Sequence, residues 1–370
     1  MISVFGSDIG PREIEAVAAV MRSQWVGFGR GVDRFEDAFA ARLGLPAFAM
    51  VDSGSNALFL AIRLLDLPPG SEVIVPSFTW VSCAQAVVLA GHRPVFCDVD
   101  PVTMNIRRED VEACRSPRTA AVMVVHYAGL PVEIDPILDL GLPVVEDAAH
   151  AVDARHRGRA CGGIGDVGIY SFDAVKNLTA GEGGGITARD PARIGRARRL
   201  RYCGIGKSGF EAAAAGAGDR RWWEYDIAEA FIKMLPTNMA AAIAGVQLER
   251  LAELQERRRQ VWELYDREFG DLTAVILPPR AAEGDRHGLF TYCIRARDRD
   301  RLARRLLEQG IYTTLRYHPL HLNALYGQTG RRLPNCERLN DEALSLPLHP
   351  RLTLDEATRV AAAVRDFYAR

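Results

Sequence analysis

Over its first half the chain alternates short apolar, β-prone runs with segments of helical period. The runs are AFAMVDSG (47–54), EVIVPS (72–77), PVFCDVD (94–100), AAVMVVHYAG (120–129), PVVEDAAHA (143–151), DVGIYSFD (166–173) and GGGITARD (183–190). Between the first five lie stretches such as SNALFLAIRLLD (55–66) and WVSCAQAVVLAG (80–91), whose apolar positions fit a helix. This order predicts an α/β fold: a mostly parallel sheet with helices on both faces, and ligands at the carboxyl ends of its strands. From about residue 238 the pattern turns helical, with Ile243, Val246, Leu248, Leu251 and Leu254 predicted to form one buried face of a single long helix. Beyond it, strand-like LFTYCIRA (289–296) and IYTTLRY (311–317) and helical DRDRLARRLLEQG (298–310) and LDEATRVAAAVRDFY (354–368) read as a small α+β unit. The division is a large domain over 1–252 and a small C-terminal domain over 253–370. Alanine- and glycine-rich FEAAAAGAGD (210–219) reads as a mobile loop.

Composition narrows the function. A formal net charge of -1 leaves no electrostatic footprint for nucleic acid or an anionic membrane. No apolar run reaches the length of a membrane span and the N-terminal segment lacks a leader pattern, so the expected location is the cytoplasm. Seven widely spaced cysteines, with no C-x-x-C pair, offer no zinc or redox motif and fit a reducing compartment.

One count is informative. Of 46 basic residues only three are lysines, Lys176, Lys207 and Lys233. Lys176 stands between a serine-bearing run and GEGGG, where a chain that otherwise prefers arginine has kept an amine able to lose its proton and attack a carbonyl. The glycines behind it are expected to let the chain turn at positive φ. GIGDVG (163–168) matches a dinucleotide fingerprint, but it leads into a β-rich run rather than a helix, which argues against that role.

The predicted strand ends carry the remaining candidates. Ser55 and Asn56 open a helix, as a phosphate seat or as a plain N-cap. Trp80 follows the second run, as a ring plate or as packing. Glu146 and Asp147 alternate faces at the end of the fifth, so only one can enter a site. His150 lies just beyond, and Ser171 ends the sixth run five residues before Lys176. A phosphate cradle, an aromatic plate, a carboxylate, a hydroxyl and a lysine at one sheet edge are the equipment for pyridoxal 5′-phosphate.

The segments RGVDRFEDAFAARLG, VDSGSNALFLAI, VVEDAAHAVDA, GDVGIYSFDAVKNLTAGEGGGITARD, AAIAGVQLERL and LRYHPLHLNALYG, in this order, resemble the DegT/DnrJ/EryC1/StrS family of pyridoxal-phosphate-dependent sugar aminotransferases across nearly the whole chain. The resemblance implies an aspartate-aminotransferase-like fold of type I. Lys176 would hold the cofactor as a Schiff base and shuttle the proton, and Asp147 would hold the pyridine nitrogen. Trp80 would stack on the ring, Ser55, the Asn56 backbone and Ser171 would bind the phosphate, and His150 would lie near the phenolic oxygen. Histidine at this position and the TWVS and EDAAHA wording resemble the branch acting at sugar carbon 4.

The resemblance further implies L-glutamate or L-glutamine as donor, a nucleotide-linked keto sugar or a related cyclitol as acceptor, and a homodimer with shared sites. An alternative is a lyase, dehydratase or oxidase on the same scaffold; another is a cofactor-binding regulator. The chain departs from the family where Leu235 occupies the position of a cross-subunit asparagine. Asn238 is the candidate substitute, with Lys233 as a second. Nearby Arg220, Arg221 and the tryptophans of DRRWWEYDI are candidates for an anionic or ring-shaped substrate, or for interface packing.

Overall fold

A computed structural model describes residues 1–208, 221 and 223–369. FEAAAAGAGD, Arg220 and Trp222 lie outside the described residues. Two helices, α1 (Pro11–Arg22) and α2 (Arg30–Leu43), precede the central sheet. Its seven strands are β1 (Phe48–Val51), β2 (Glu72–Pro76), β3 (Arg93–Cys97), β4 (Thr119–Val125), β5 (Val144–Asp147), β6 (Val167–Ser171) and β7 (Gly184–Ala188), in the spatial order β1-β7-β6-β5-β4-β2-β3. Every run read as a strand in this half is a strand. Only β7 runs against the others, pairing antiparallel with both β1 and β6.

The period-two pattern explains how both faces are covered. On β4, Ala121, Met123 and Val125 enter a core shared with helices α3 (Gly54–Leu64) and α4 (Ser82–Leu89), while Val122 and Val124 enter another with Val111 and Ile137. A third cluster packs Phe35, Phe39, Phe48, Tyr170 and Phe172 edge to face under α2. Burying each such ring contributes about 1.5–3 kcal/mol before the entropy of ordering it.

The predicted long helix is two, α5 (Asn238–Glu249) and α6 (Leu251–Phe269), divided at Arg250. Arg250 reaches back to Asp8 and Glu13, tying the division to the N-terminal segment. The buried face of α5 also differs from the expected one. Ala241, Ala244, Gln247 and Leu248 are buried whereas Ile243 and Val246 are half-buried, because small alanines allow α5 to approach α1 and α2 closely. A separate apolar core joins Val261, Trp262 and Tyr265 of α6 to Tyr292, Leu302, Leu344 and Val360, with Ile2 included.

Its three-stranded sheet is Val275–Ile276, Tyr292–Ala296 and Ala343–Leu346. IYTTLRY, expected as a strand, makes only isolated bridges, Ile2 with Ile311 and Thr314 with Ser345. The place beside Tyr292–Ala296 is taken by Ala343–Leu346, a strand of four residues, buried throughout, that directly follows the helix Pro334–Glu342.

The GIGDVG segment is a structural fitting. The carboxylate of Glu146, wholly buried, accepts the N–H groups of Gly162, Ile164 and Gly165 at 2.9, 2.6 and 2.5 Å. His126 Nε2 lies 3.0 Å from the same carboxylate while its Nδ1 accepts the Val132 N–H. A side chain at Gly168 would stand 1.7 Å from the Gly162 carbonyl oxygen, so the glycine is required by close backbone approach. The Glu146→Ala variant leaves three buried N–H donors without an acceptor, each costing about 1–3 kcal/mol. Urea unfolding followed by circular dichroism is expected to show a loss of at least about 3 kcal/mol, and an unchanged midpoint would refute this role.

Candidate active site

The carboxyl ends of β1, β2, β5 and β6 open into one cavity of about 450 Å³, lined among others by Ser53, Ser55, Trp80, Asp147, His150, Ser171, Lys176, Arg316 and Tyr317. Six residues singled out in the sequence therefore share one space: Ser55, Trp80, Asp147, His150, Ser171 and Lys176. The strand alternation resolves the acidic pair, Asp147 facing the cavity and Glu146 the opposite side.

Lys176 is presented by a turn. The Asp173 carboxylate accepts the Val175 N–H at 3.0 Å and the Asp173 carbonyl accepts that of Lys176 at 3.0 Å. The amine lies 4.7 Å from the centre of the Phe290 ring. Burial, aided by the nearby Arg316 charge and opposed by Asp147 and Asp173, lowers its pKa to about 8. Asp147 is buried, with one oxygen accepting the Ala149 N–H at 2.9 Å and the other the Cys83 thiol at 3.1 Å. His150 stacks on Phe290 with centroids 4.0 Å apart, and its Nε2 lies 3.1 Å from the Tyr317 hydroxyl. Burial, with Lys176 and Arg316 nearby, holds its pKa well below the usual histidine value, so the ring is neutral. Its Nδ1 is buried and has no protein partner.

At the other end Ser53 caps α3, its hydroxyl accepting the Asn56 N–H at 3.2 Å. The helix thus opens one residue before the expected Ser55. Ser55 Oγ lies 2.7 Å from Ser82 Oγ. The Asn56 side chain donates to Asp52 at 2.8 Å and does not line the cavity. A Cβ on Gly54 would fall 2.7 Å from that of Ser171, so glycine is what lets the helix end approach β6. Of the GEGGG glycines only Gly181 has positive φ (81°), as expected of a turn. Gly184 and Gly185 serve close packing instead: added Cβ atoms would meet Ser53 at 2.4 Å and Phe48 at 2.0 Å.

Asn238, expected at a contact between subunits, does not line the cavity of its own chain. Its amide donates to the Trp25 carbonyl at 3.0 Å and accepts the Val32 N–H at 3.3 Å, committing it to the loop before α2. Leu235 lines a different cavity with Phe28, Arg198 and Arg201, and Lys233 bridges Tyr202 in backbone pairing. Arg221 lies over Trp223 at 5.5 Å, away from the lining residues. Sequence reasoning missed Ser53, Ser82, Phe290, Arg316 and Tyr317. The last two stand inside LRYHPLHLNALYG, where the run of basic and aromatic residues was the only available signal.

A larger cleft of about 640 Å³ lies beside Trp262, Arg280 and His287, but no lysine, serine, threonine or cysteine lines it. Its His287 is kept neutral by burial and accepts the Leu289 N–H. Among the described residues the one group with metal-ligand potential is Glu133, Asp135 and His156, whose acids already pair with Arg157 and Arg159.

A mostly parallel sheet whose strand ends gather a lysine of lowered pKa, a buried aspartate and a serine-capped helix start defines an α/β enzyme of the aspartate-aminotransferase-like type. The DegT/DnrJ/EryC1/StrS aminotransferase family model matches residues 7–365, and the chain belongs to that family. It is 40% identical to the dTDP-4-dehydro-2,3,6-trideoxy-D-glucose 4-aminotransferase of Saccharopolyspora spinosa, over 98% of this chain and 95% of that one. The crystal structure of the aminotransferase TlmJ from Streptoalloteichus hindustanus superposes with a TM-score of 0.94 at 40% identity, covering 100% of this chain and 99% of the other. The pyridoxal-phosphate form of the putative sugar aminotransferase Spr1654 from Streptococcus pneumoniae superposes at 0.90 with 25% identity, covering 98% and 97%.

The enzyme is therefore a pyridoxal-phosphate-dependent transaminase, and the cavity fits that cofactor. The partnerless buried Nδ1 of His150, the Gly54–Ser171 approach that leaves no room for a side chain, and the serine hydroxyls at the start of α3 provide polar contacts and space for a phosphorylated ring.

Capture of the cofactor aldehyde requires the neutral amine. With a folded pKa near 8, the capture rate of cofactor-free protein is expected to climb between about pH 7 and 9 and level off above. Stopped-flow absorbance checks this, and a rate still climbing beyond pH 10 would contradict it.

Proposed function

We propose that this enzyme transfers the amino group of L-glutamate or L-glutamine to the keto group of a nucleotide-linked keto sugar, at carbon 4. The observation that carries the reading is the lysine amine of near-neutral pKa sharing one cavity with a buried aspartate and a neutral histidine. The 40% identity to a relative named as a nucleotide-sugar 4-aminotransferase supports the sugar and the carbon. Bound pyridoxal phosphate supplies an electron sink for the donor's Cα–H bond.

The roles of the chain's own residues follow from their positions. Lys176, whose pKa near 8 leaves about a tenth of the molecules deprotonated at pH 7 and half near pH 8, would take up the donor's Cα proton and give it back within the cavity. Asp147, fixed by the Ala149 N–H and the Cys83 thiol, keeps a negative charge opposite the ring nitrogen. Trp80, at the rim and half exposed, covers one ring face. Ser55, Ser171 and the start of α3 hold the phosphate, and His150 donates toward the phenolic oxygen. Asn56 supports this seat through its cap hydrogen bond rather than by direct contact. Asn238, whose amide bonds to Trp25 and Val32 in its own chain, is kept only as the candidate for a contact across the subunit interface.

The protein acts as a cytoplasmic homodimer in this reading. Among the described residues no helix is long and apolar enough to cross a membrane. Ile14, Met21 and Trp25 near the N-terminus, and Tyr225, Ile227 and Ile232, are large apolar side chains left exposed, the signature of a contact surface. Light scattering is expected to return twice the 40.7 kDa chain mass, and a monomer mass at micromolar concentration would count against the dimer.

For the reaction, L-glutamate or L-glutamine should convert the absorbance of the holoenzyme to that of the aminated cofactor. Borohydride reduction before donor addition should leave the pyridoxyl label on Lys176. A label on Lys207 or Lys233, or absorbance unmoved by either donor, would defeat the reading.

A further inference from the structure

Tyr317 touches two members of the candidate site. Its ring centre lies 5.4 Å from that of Trp80 and 5.9 Å from that of His150, and all three residues line the cavity. The backbone that carries it is anchored by the residue before, since the Arg316 guanidinium is in cation–π contact with both Phe5 and Phe290, 4.3 and 4.6 Å from their ring centres. The His150 ring is nearly parallel to its neighbours, at 15° to Phe290 and 25° to Tyr317, so it cannot turn without breaking the stack. Its orientation is therefore fixed, and only the place of its proton is open. The charged groups around the pair are Lys176, Arg316 and Asp147, with the Cys83 thiol beside them.

A neutral imidazole carries one proton, on either nitrogen. A proton on Nε2 would be donated to the Tyr317 oxygen at 3.1 Å, leaving the phenol's own proton with no acceptor among the described residues. A proton on Nδ1 leaves Nε2 free to accept from the phenol, and makes the buried, partnerless Nδ1 a donor. The second arrangement uses both protons. The phenol keeps its proton throughout the working range, because burial, aided by Asp147 and Cys83 and opposed by Arg316, pushes its pKa up to about 12.

We infer that Tyr317 is a positioning residue that acts through His150: its hydroxyl donates to Nε2, holds the imidazole proton on Nδ1, and so makes that nitrogen the donor for the cofactor's phenolic oxygen. This rests on the transaminase reading and deepens it. A hydrogen bond donated to the phenolic oxygen spreads its negative charge, so the oxygen pulls less on the proton of the Lys176 nitrogen bound to the cofactor. That proton is then lost at lower pH. Tyr317, on the segment beside the three-stranded sheet, thus adjusts a nitrogen presented by the central sheet without touching it.

The test begins with cofactor-free protein labelled with nitrogen-15 at its histidines. Nuclear magnetic resonance distinguishes the two tautomers, and the His150 signals are picked out among the eight histidines by their loss in His150→Gln. Expected is the Nδ1–H form in the wild type, and release of the proton toward Nε2 in Tyr317→Phe, which keeps the ring and removes only the hydroxyl. In holoenzyme, the pH at which the absorbance of the bound cofactor changes should rise by about one unit in Tyr317→Phe. In the His150→Gln background the same substitution should add no further shift. A wild-type His150 protonated on Nε2 would overturn the assignment, and this reading needs no variant to fold. So would a Tyr317→Phe protein in which either the tautomer or the absorbance stays as in the wild type, or a shift that persists without His150. A wild-type holoenzyme inert to both amino donors would overturn the transaminase reading instead, while the tautomer measurement still reads the Tyr317–His150 pair.

Discussion

The site depends on a single buried carboxylate that takes no part in the chemistry. Glu146 gathers three backbone N–H groups of the 162–165 loop and faces His126, which fixes the end of β5 against β6. Because adjacent residues on a strand point to opposite faces, immobilising Glu146 on one side also aims Asp147 into the cavity on the other. Asp147 is thus held still by a neighbour's hydrogen bonds as much as by its own from the Ala149 N–H and the Cys83 thiol.

The cavity is organised around Phe290. One face of this ring carries His150, and Lys176 and Arg316 stand within 5 Å of its centre. An apolar plate among three basic groups keeps water out and mutual repulsion in force. That arrangement explains a neutral histidine and a lysine poised near neutrality without a metal or a second lysine. Phe290 comes from the C-terminal part of the chain and Lys176 from the central sheet, so the basicity of the lysine is a property of the two packed together.

Much of the fold was legible in the sequence because parallel strands buried on both faces leave continuous apolar runs, and all seven were found. Lys176 was legible because the chain otherwise uses arginine. Asp147 was half legible: alternation said that one acid of the pair enters, and only the Glu146 hydrogen bonds say which. Arg316 was hidden by the same bias that exposed Lys176, since one arginine among so many carries no signal until its place in the cavity wall is seen. Asn238 was picked for its residue type, and within its own chain its amide bonds to Trp25 and Val32, contacts that no sequence pattern announces. IYTTLRY has the composition of a strand, but its backbone is split between Ile2 and Ser345, and the ladder position goes to a four-residue segment running straight on from a helix, too short to stand out.

The wall of the cavity at Phe5 belongs to a segment whose backbone is pinned far along the chain. The Ile2 N–H bonds the Gly310 carbonyl and the Ile2 carbonyl accepts the Tyr312 N–H, both at 2.8 Å. On the ribosome, then, the segment around Ile2 waits some three hundred residues of synthesis before its partners at Gly310 and Tyr312 appear. Phe5 cannot cover Arg316 until the polypeptide has passed it. The central sheet can assemble early from neighbouring segments, but the compartment next to Lys176 closes later, when the segment around Ile2 meets the one around Gly310. A nascent or prematurely terminated chain therefore carries the lysine without the surroundings that make its amine reactive.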